Sequence, residues 1–332
     1  DELLEVFFRD VLGLHPDQAE VDACKIEHLR SLEASVKLQN ECGLPTRMLT
    51  PKEAQKIVPE LDTSGVEAAS FNPDDGVVFP WPFVWGFAQA AESIGSGVYA
   101  TPDVVGFETH GNGTTIEAVV VQTRPKAGLL EAARTFRIRT NKVVNAAGAW
   151  SPVIGRMLGV ELPNKPHRHE ICSTEPLKPW LKPLVADLTD GLYFSQSTRG
   201  EIVGGIGQDR VPEGLNQDSS HAFLGKYATA LTRACPILRP VKVLRQWAGC
   251  YDLTPDANPI VGTVDEIEHF YQASGFMGHG FMMAPIMGKL LAEAIVEPKP
   301  RPPRPEVVAL LERWNLRRFR TGNLLSEAMI IG

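Results

Sequence analysis

A chain of 332 residues is long enough for about two domains with cores of their own, and 43% apolar with 22% charged residues is ordinary for a globular protein. A net charge of −7 argues against nucleic acid as the main partner. No apolar run reaches transmembrane length, the start does not read as a signal peptide, and five scattered cysteines without a CxxC spacing indicate reduced thiols, not a zinc site or a disulfide framework. The cytoplasm is therefore the expected compartment, with peripheral membrane association through a partner left open.

In chain order, residues 28–41 predict an amphipathic helix stopped by Gly43. Thr50, Pro51 and Glu53 spell a capping box with proline at the first helical position, so a short helix is expected to about Ile57. A strand is expected over 66–71, and the run from Pro73 to Gly76 is a turn. A helix with a buried face follows Pro82, over 83–94. Strands are expected over 104–107, 116–122 and 136–139, around a turn at His110 to Gly113, and a strand over 142–145 returns to a parallel sheet. Segments 169–174, 192–195 and 201–205 read as an antiparallel set. A helix over 219–233 precedes a strand over 241–247. The proline-rich segment 298–305 is a surface connector, and 306–314 is a terminal helix. There are no internal repeats.

Two junctions stand out. An apolar run over 269–273 enters a loop holding Gly275, Gly278 and Gly280, which opens into an apolar helix over about 283–296. A second strand, at Val143 and Val144, reaches Gly148, Trp150 and a helix to Leu158. Glycine lets a backbone approach a ligand closely, and the exposed N–H groups of a helix start favour an electron-rich group. Glycine spacing alone fits a packing turn equally well.

The blocks NAAGAW, WAG-x-Y-x-x-TPD-x-NP-x-x-G and SGF-x-GHGF-x-x-AP make the case more specific, because they follow one another in this order. Together they resemble FAD-dependent amine and amino-acid oxidoreductases of the D-amino-acid-oxidase superfamily. The likeness is to the β subunits of heteromeric sarcosine oxidases and to archaeal dye-linked L-proline dehydrogenases. It runs from about Leu38 to the C-terminus. The family opens with a βαβ unit carrying G-x-G-x-x-G. Here 111–116, 205–210 and 278–283 each lack the third glycine, so the chain resembles a member without roughly its first 80 residues, about the size of such a unit and its linker.

The fold implied is mixed α/β: an incomplete three-layer FAD-binding domain (76–160 and 250–332) interleaved with an antiparallel-sheet substrate domain (1–75 and 161–249). The cofactor implied is FAD, held without a covalent link, with FMN at a subunit interface as a second candidate. On the flavin side the resemblance places Ala147, Gly148, Trp150, Gly249, Gly275, Gly278, His279, Gly280 and Phe281. On the substrate side it places Tyr251, Tyr193, His279 and Met282. For each of these a packing role is the competing reading: a tight turn for the glycines, a junction tyrosine for Tyr251, a cross-strand pair for Tyr193.

Two of these residues depart from relatives. Glycine oxidases carry an arginine where Tyr251 stands, and sarcosine oxidases a lysine where Met282 stands. Tyrosine offers a hydroxyl and an aromatic wall but no charged fork. Arg168, His169 and Arg245, or a residue of the N-terminal unit that this chain lacks by resemblance, are then the candidate anchors for a substrate carboxylate. Arg168 and Arg245 also read as structural ion-pair residues. The flavin-linking cysteine of monomeric sarcosine oxidases overlays Gly249, so Cys250 is expected to be a small buried thiol. His167 and His169 lie near the histidine that tethers FMN in heteromeric sarcosine oxidases. Segment 200–207 lacks the lysine that helps oxygen react in the monomeric enzymes.

The function implied is oxidation of a secondary or α-amine, L-proline-like or sarcosine-like, by hydride transfer to flavin and hydrolysis of the imine. Electrons would pass to a partner subunit or another acceptor rather than to oxygen. The alternatives are a non-catalytic or truncated subunit of a flavoprotein complex, and a glycine or D-amino-acid oxidase. An oligomer is expected.

Overall fold

The first long helix, α1 (Pro16–Glu41), ends where Gly43 takes a left-handed φ of 85°. It begins earlier than the expected residue 28. The computed structural model describes residues 15–124, 132–208, 211–296 and 305–325. Helix α2 (Pro51–Ile57) starts as its sequence dictates: the Glu53 N–H donates to the Thr50 hydroxyl, and the Glu53 carboxylate accepts the Thr50 N–H at 2.8 Å. Strands β1 (Arg47–Leu49) and β2 (Ala69–Phe71) form an antiparallel ribbon. The strand expected over 66–71 is shorter because Val66 is drawn into a turn, its N–H donating to the Thr63 carbonyl.

Helix α3 (Pro80–Ser93) corrects an expectation. It starts ahead of Pro82, and none of its residues is buried. Trp81, Phe83, Val84, Trp85 and Phe87 are all exposed, and the Trp81 and Trp85 rings stack 6.0 Å apart. The composition of this segment demands a cover, yet among the described residues these side chains stay exposed even though Phe281 meets Phe83 edge-on.

Strands β3 (Pro102–Thr109), β4 (Ile116–Thr123) and β5 (Thr135–Arg139) form an antiparallel meander in that order. The predicted turn joins the first two, with the Gly113 N–H donating to the His110 carbonyl at 2.6 Å. Strand β6 (Val143–Asn145) leads into a 3-10 turn, Gly148–Trp150, and a short helix, α4 (Ser151–Arg156).

A five-stranded antiparallel sheet follows. Its members are β7 (Lys165–Pro176), β8 (Val185–Asp187), β9 (Leu192–Gln196), β10 (Glu201–Gly205) and β11 (Val243–Leu253), in the spatial order β11-β7-β10-β9-β8. Helix α5 (His221–Ala234) covers one face. Its Phe223, Tyr227 and Leu231 pack on Cys172, Leu192, Phe194 and Ile202, all buried. The other inward-facing side chains of β9 follow the strand period of two. Full burial of a side chain of this size stabilises by roughly 1.5–3 kcal/mol. Strand β11 continues to Leu253, well past the expected Trp247, and so carries Tyr251 into the sheet.

Strands β12 (Ile260–Thr263) and β13 (Phe270–Ser274) are antiparallel, and β6 lies parallel to β13, as expected for the segment from 142. Alternate residues of this small sheet feed two cores. Ile260 and Phe270 join Ile116, Val160 and Leu316, whereas Val261 and Tyr271 meet Met287, Leu290 and Leu291 of α6 (Gly280–Ile295). Helices α7 (Pro305–Arg313) and α8 (Arg317–Thr321) close the described chain. The proline-rich connector expected over 298–305 lies outside the described residues, apart from Pro305. No described helix is long and apolar enough to cross a membrane. Among the described cysteines, Cys42, Cys172, Cys235 and Cys250 are free thiols.

A buried ion pair ties the C-terminal helices to the loop after β11. The Arg318 Nε and Nη2 donate to the Asp256 carboxylate at 2.7 and 2.9 Å, and the guanidinium lies 4.2 Å from the Phe319 ring. Asp256→Ala strands this cation in the interior. A loss of about 3–5 kcal/mol is expected in urea unfolding. Asp265→Ala, which breaks an exposed pair with Arg317, should leave the midpoint close to wild type.

Candidate functional site

The site is assembled across four strands. Tyr251 on β11, His169 on β7 and Tyr193 on β9 form a row of aromatic rings. The His169 ring stacks on Tyr251 at 4.8 Å with 10° between planes, and on Tyr193 at 5.6 Å with 16°. The imidazole Nε2 and the Tyr193 hydroxyl share a hydrogen bond of 2.9 Å, whose donor depends on the imidazole tautomer. Strand β10 lies between β7 and β9, and the row crosses it at Gly205. A Cβ there would stand 2.8 Å from the Glu170 carbonyl oxygen, 2.9 Å from His169 Nε2 and 3.0 Å from the Tyr193 hydroxyl. Sequence reasoning missed Gly205. The signal was a glycine inside a strand pattern, which marks a close approach.

Burial leaves this row without charge. The His169 pKa is pulled down to about 4, first by burial and then by repulsion from His167, with Glu170 pulling weakly the other way. Burial, with the neighbouring Tyr251, pushes the Tyr193 hydroxyl well above its ordinary range. Burial likewise raises Tyr251, against a hydrogen bond from Tyr193. At neutral pH the row therefore presents a neutral imidazole and two protonated hydroxyls.

Of the candidate anchors, His169 lies within the row as a neutral imidazole, and the two arginines lie outside it. Arg168 donates to the Asp218 carbonyl at 3.2 Å and lies 3.7 Å from the Glu170 carboxylate, so it is an ion-pair residue. Glu170 is fully buried. Burial raises its pKa, but the Ser220 hydroxyl and N–H, the Gln246 amide and Arg168 outweigh that and hold it below the ordinary value. Arg245 is exposed on β11. Cys250, expected to be buried, is only half-buried, with its sulfur 3.8 Å from the Asn216 carbonyl. It neighbours Tyr251 and so points to the opposite face of β11.

The glycine loop after β13 packs directly on this row. Gly275 and Gly278 have φ of 77° and 88°, and Met277, despite its side chain, has φ of 49°. A Cβ at Gly278 would stand 2.9 Å from Tyr251 Cζ, and one at Gly275 would stand 2.4 Å from Thr254 Cγ2. Helix α6 begins at Gly280, three residues before the expected start, and the His279 side chain does not cap it. The His279 N–H donates to the Phe276 carbonyl at 2.8 Å. The N–H groups of Gly278, Gly280, Phe281 and Met282 have no acceptor among the described residues. Free donors at a helix start suit an electron-rich ligand edge. Met282 itself is 70% exposed and Phe281 meets Phe83 of α3 edge-on at 5.8 Å, so neither joins the aromatic row.

The second junction converges on the same place, since the Gly148–Trp150 turn packs against β11, β7 and β13. Asn145 shapes it. Its Nδ2 donates to the Ser151 carbonyl at 3.0 Å and to Gln272 Oε1 at 2.9 Å, and its Oδ1 accepts the Ala147 N–H at 3.4 Å. Gly148 has φ of 53°, and Cβ positions at Gly148 and Gly249 would both face open space. Trp150 is exposed. Two buried polar atoms nearby, Ser151 Oγ and Gln272 Nε2, have no partner among the described residues. Open glycine faces, free helix-start donors and unpartnered polar atoms fit a large planar cofactor.

Comparison with known proteins agrees. The family described as DAO, FAD dependent oxidoreductase, matches residues 6–294. The chain belongs to this family of flavoprotein oxidoreductases, whose cofactor is FAD. It is 30% identical over 290 residues to the "FAD-dependent oxidoreductase domain-containing protein 1" of Bos taurus, across 80% of this chain and 59% of that protein. It is 28% identical to the sarcosine oxidase subunit beta of Rhodobacter capsulatus, across 92% and 69% of the two chains. The L-proline dehydrogenase from P. horikoshii superposes with a TM-score of 0.78 at 34% identity, covering 90% of this chain and 75% of that one. The chain thus spans well under two thirds of the length of the bovine relative.

Two outcomes follow from the row. Gly205→Ala forces a methyl into contacts of 2.8–3.0 Å and should separate His169 from Tyr193, at a cost of about 1–3 kcal/mol in denaturant unfolding. His169 binds its proton less readily in the folded chain than in the unfolded one. Its contribution is thus complete above about pH 6.5 and is lost as pH falls toward about 4. Unfolding of wild type and His169→Gln across that window should differ by up to about 3 kcal/mol in pH dependence, with the variant flatter.

Proposed function

We propose that this chain oxidises a secondary or α-amine of an amino acid with FAD, with L-proline-like and sarcosine-like substrates foremost. The observation that carries the reading is the contact between Tyr251 and Gly278, which sets a neutral hydroxyl-bearing row against the glycine loop. FAD, when bound, accepts a hydride from the carbon next to the amine, leaving an imine that water hydrolyses. In this reading Ala147, Gly148, Trp150, Gly249, Gly275, Gly278, His279, Gly280 and Phe281 would hold the cofactor, and N–H groups at the α6 start would favour the negative charge it gains on reduction.

Tyr251 donates its hydroxyl hydrogen to the substrate carboxylate, Tyr193 donates to Tyr251 and lines the substrate cage beside it, and neutral His169 fixes the angle of both rings. The absence of a cationic fork in this row favours a substrate held by aromatic walls and hydrogen bonds. Residues 76–160 and 250–332 are assigned to the cofactor half, and 1–75 and 161–249 to the substrate half. Segment 200–207 carries no lysine, which supports an acceptor other than oxygen. The uncovered aromatic face of α3 supports a partner subunit and, as a second reading, a chain that is itself only one part of a flavoprotein complex.

A visible absorption spectrum of the protein mixed with FAD, followed by anaerobic L-proline or sarcosine, tests this. Bleaching by one amine is the expected result. A bound flavin that neither amine bleaches overturns the substrate assignment, and a protein that takes up no FAD overturns the catalytic reading. In the bleaching protein, Tyr251→Phe should raise KM for that amine about tenfold, the loss of one hydrogen bond of roughly 1.4 kcal/mol, with the flavin spectrum retained.

A further inference from the structure

We propose that Asp252 is a positioning residue for the flavin: its carboxylate holds the loop from Gly275 to His279 in the shape that leaves the α6 start free to bind. The proposal rests on the flavin reading above and names a residue which that reading does not use. Asp252 is buried at the end of β11. Its carboxylate accepts the N–H of Gly275 through one oxygen and that of Met277, at 3.4 Å, through the other. No lysine, arginine or histidine among the described residues pairs with it. Burial holds its pKa above the ordinary carboxylate value, and the N–H groups of Gly275, Met277 and Phe276 and its own N–H offset only part of that rise. The carboxylate is thus held by the N–H groups of the loop together with its own backbone N–H, and the loop cannot move away without stripping it of most of these donors.

The loop needs such a hold. Gly275, Met277 and Gly278 all have left-handed φ, and Met277 carries a Cβ in that conformation. Three neighbouring residues of β11 and its exit clamp it. Thr254 packs against Gly275, Tyr251 packs against Gly278, and Asp252 bonds between them. The division of donors is the functional consequence. Asp252 takes the N–H groups of Gly275 and Met277, and the Phe276 carbonyl takes that of His279. The N–H groups of Gly278, Gly280, Phe281 and Met282 are left without an acceptor among the described residues. Asp252 touches neither substrate nor the free donors; it acts through the backbone.

The test uses the full chain as wild type, Asp252→Asn and Asp252→Ala. The FAD dissociation constant, the visible absorption envelope of the bound flavin and thermal unfolding are each measured. Asp252→Asn keeps shape and one acceptor, so it should fold, bind FAD several-fold more weakly and show a shifted flavin envelope. Asp252→Ala should raise the dissociation constant at least tenfold. If either variant loses thermal stability but binds FAD with wild-type affinity and an unaltered envelope, Asp252 is purely structural and the proposal fails. If wild type itself takes up no FAD, the flavin reading fails and this proposal falls with it, an outcome distinct from unchanged variants.

Discussion

The contact of the Tyr251 ring with Gly278 is the joint on which the site depends. One face of that tyrosine meets His169, which reaches across the sheet to Tyr193. Its edge meets a loop residue that must be glycine for two reasons, its left-handed φ and the absence of room for a Cβ. A sheet and a strand-to-helix loop from different parts of the chain are thereby brought into register. Because β11 continues past Trp247 to Leu253, the residues that clamp the loop all come from one rigid strand and the few residues after it.

Charge is distributed around this joint with a consistent logic. The aromatic row is neutral, because burial disfavours the imidazolium and both phenolates. The carboxylates that are buried, Glu170, Asp252 and Asp256, are each held by several donors and each fixes a piece of backbone. Glu170 binds the residue that caps α5, Asp252 binds the glycine loop, and Asp256 binds Arg318 and through it the C-terminal helices. A buried carboxylate satisfied by backbone N–H groups makes the local conformation costly to abandon. This gives a loop with three left-handed residues a fixed shape without a disulfide or a metal.

The aromatic face of α3 stands apart from this economy. A helix start rich in tryptophan and phenylalanine, with Phe83 reaching Phe281 beside the free helix-start donors, leaves a large apolar surface next to the site. In a stable protein such a surface meets something apolar. Its position beside α6 links whatever covers it to the start of that helix.

Much was legible in the amino-acid sequence because the signals are local. The capping box at Thr50, the hairpin turn at His110 to Gly113, the left-handed stop at Gly43 and the glycines of the two junctions depend on residues a few positions apart. The ordered blocks around Trp150, Tyr251 and Gly278 carried the family. Other features were decided only when distant strands met. Arg168 and Glu170 stand two apart on one strand, which puts both on one face, but the Asp218 carbonyl that Arg168 also meets is far away along the chain. The need for Gly205 arises from a histidine and a tyrosine on the strands to either side of it. The role of Asp252 exists only because β11 and the loop after β13 lie together. Local periodicity predicted that α3 should be buried, but burial belongs to the surroundings of a helix. The sequence by itself thus determined the elements, the turns and the family. The tertiary structure decided which side chains face one another and which are left without a partner, because hydrogen bonds and ring contacts act over a few ångströms in space whatever the separation along the chain.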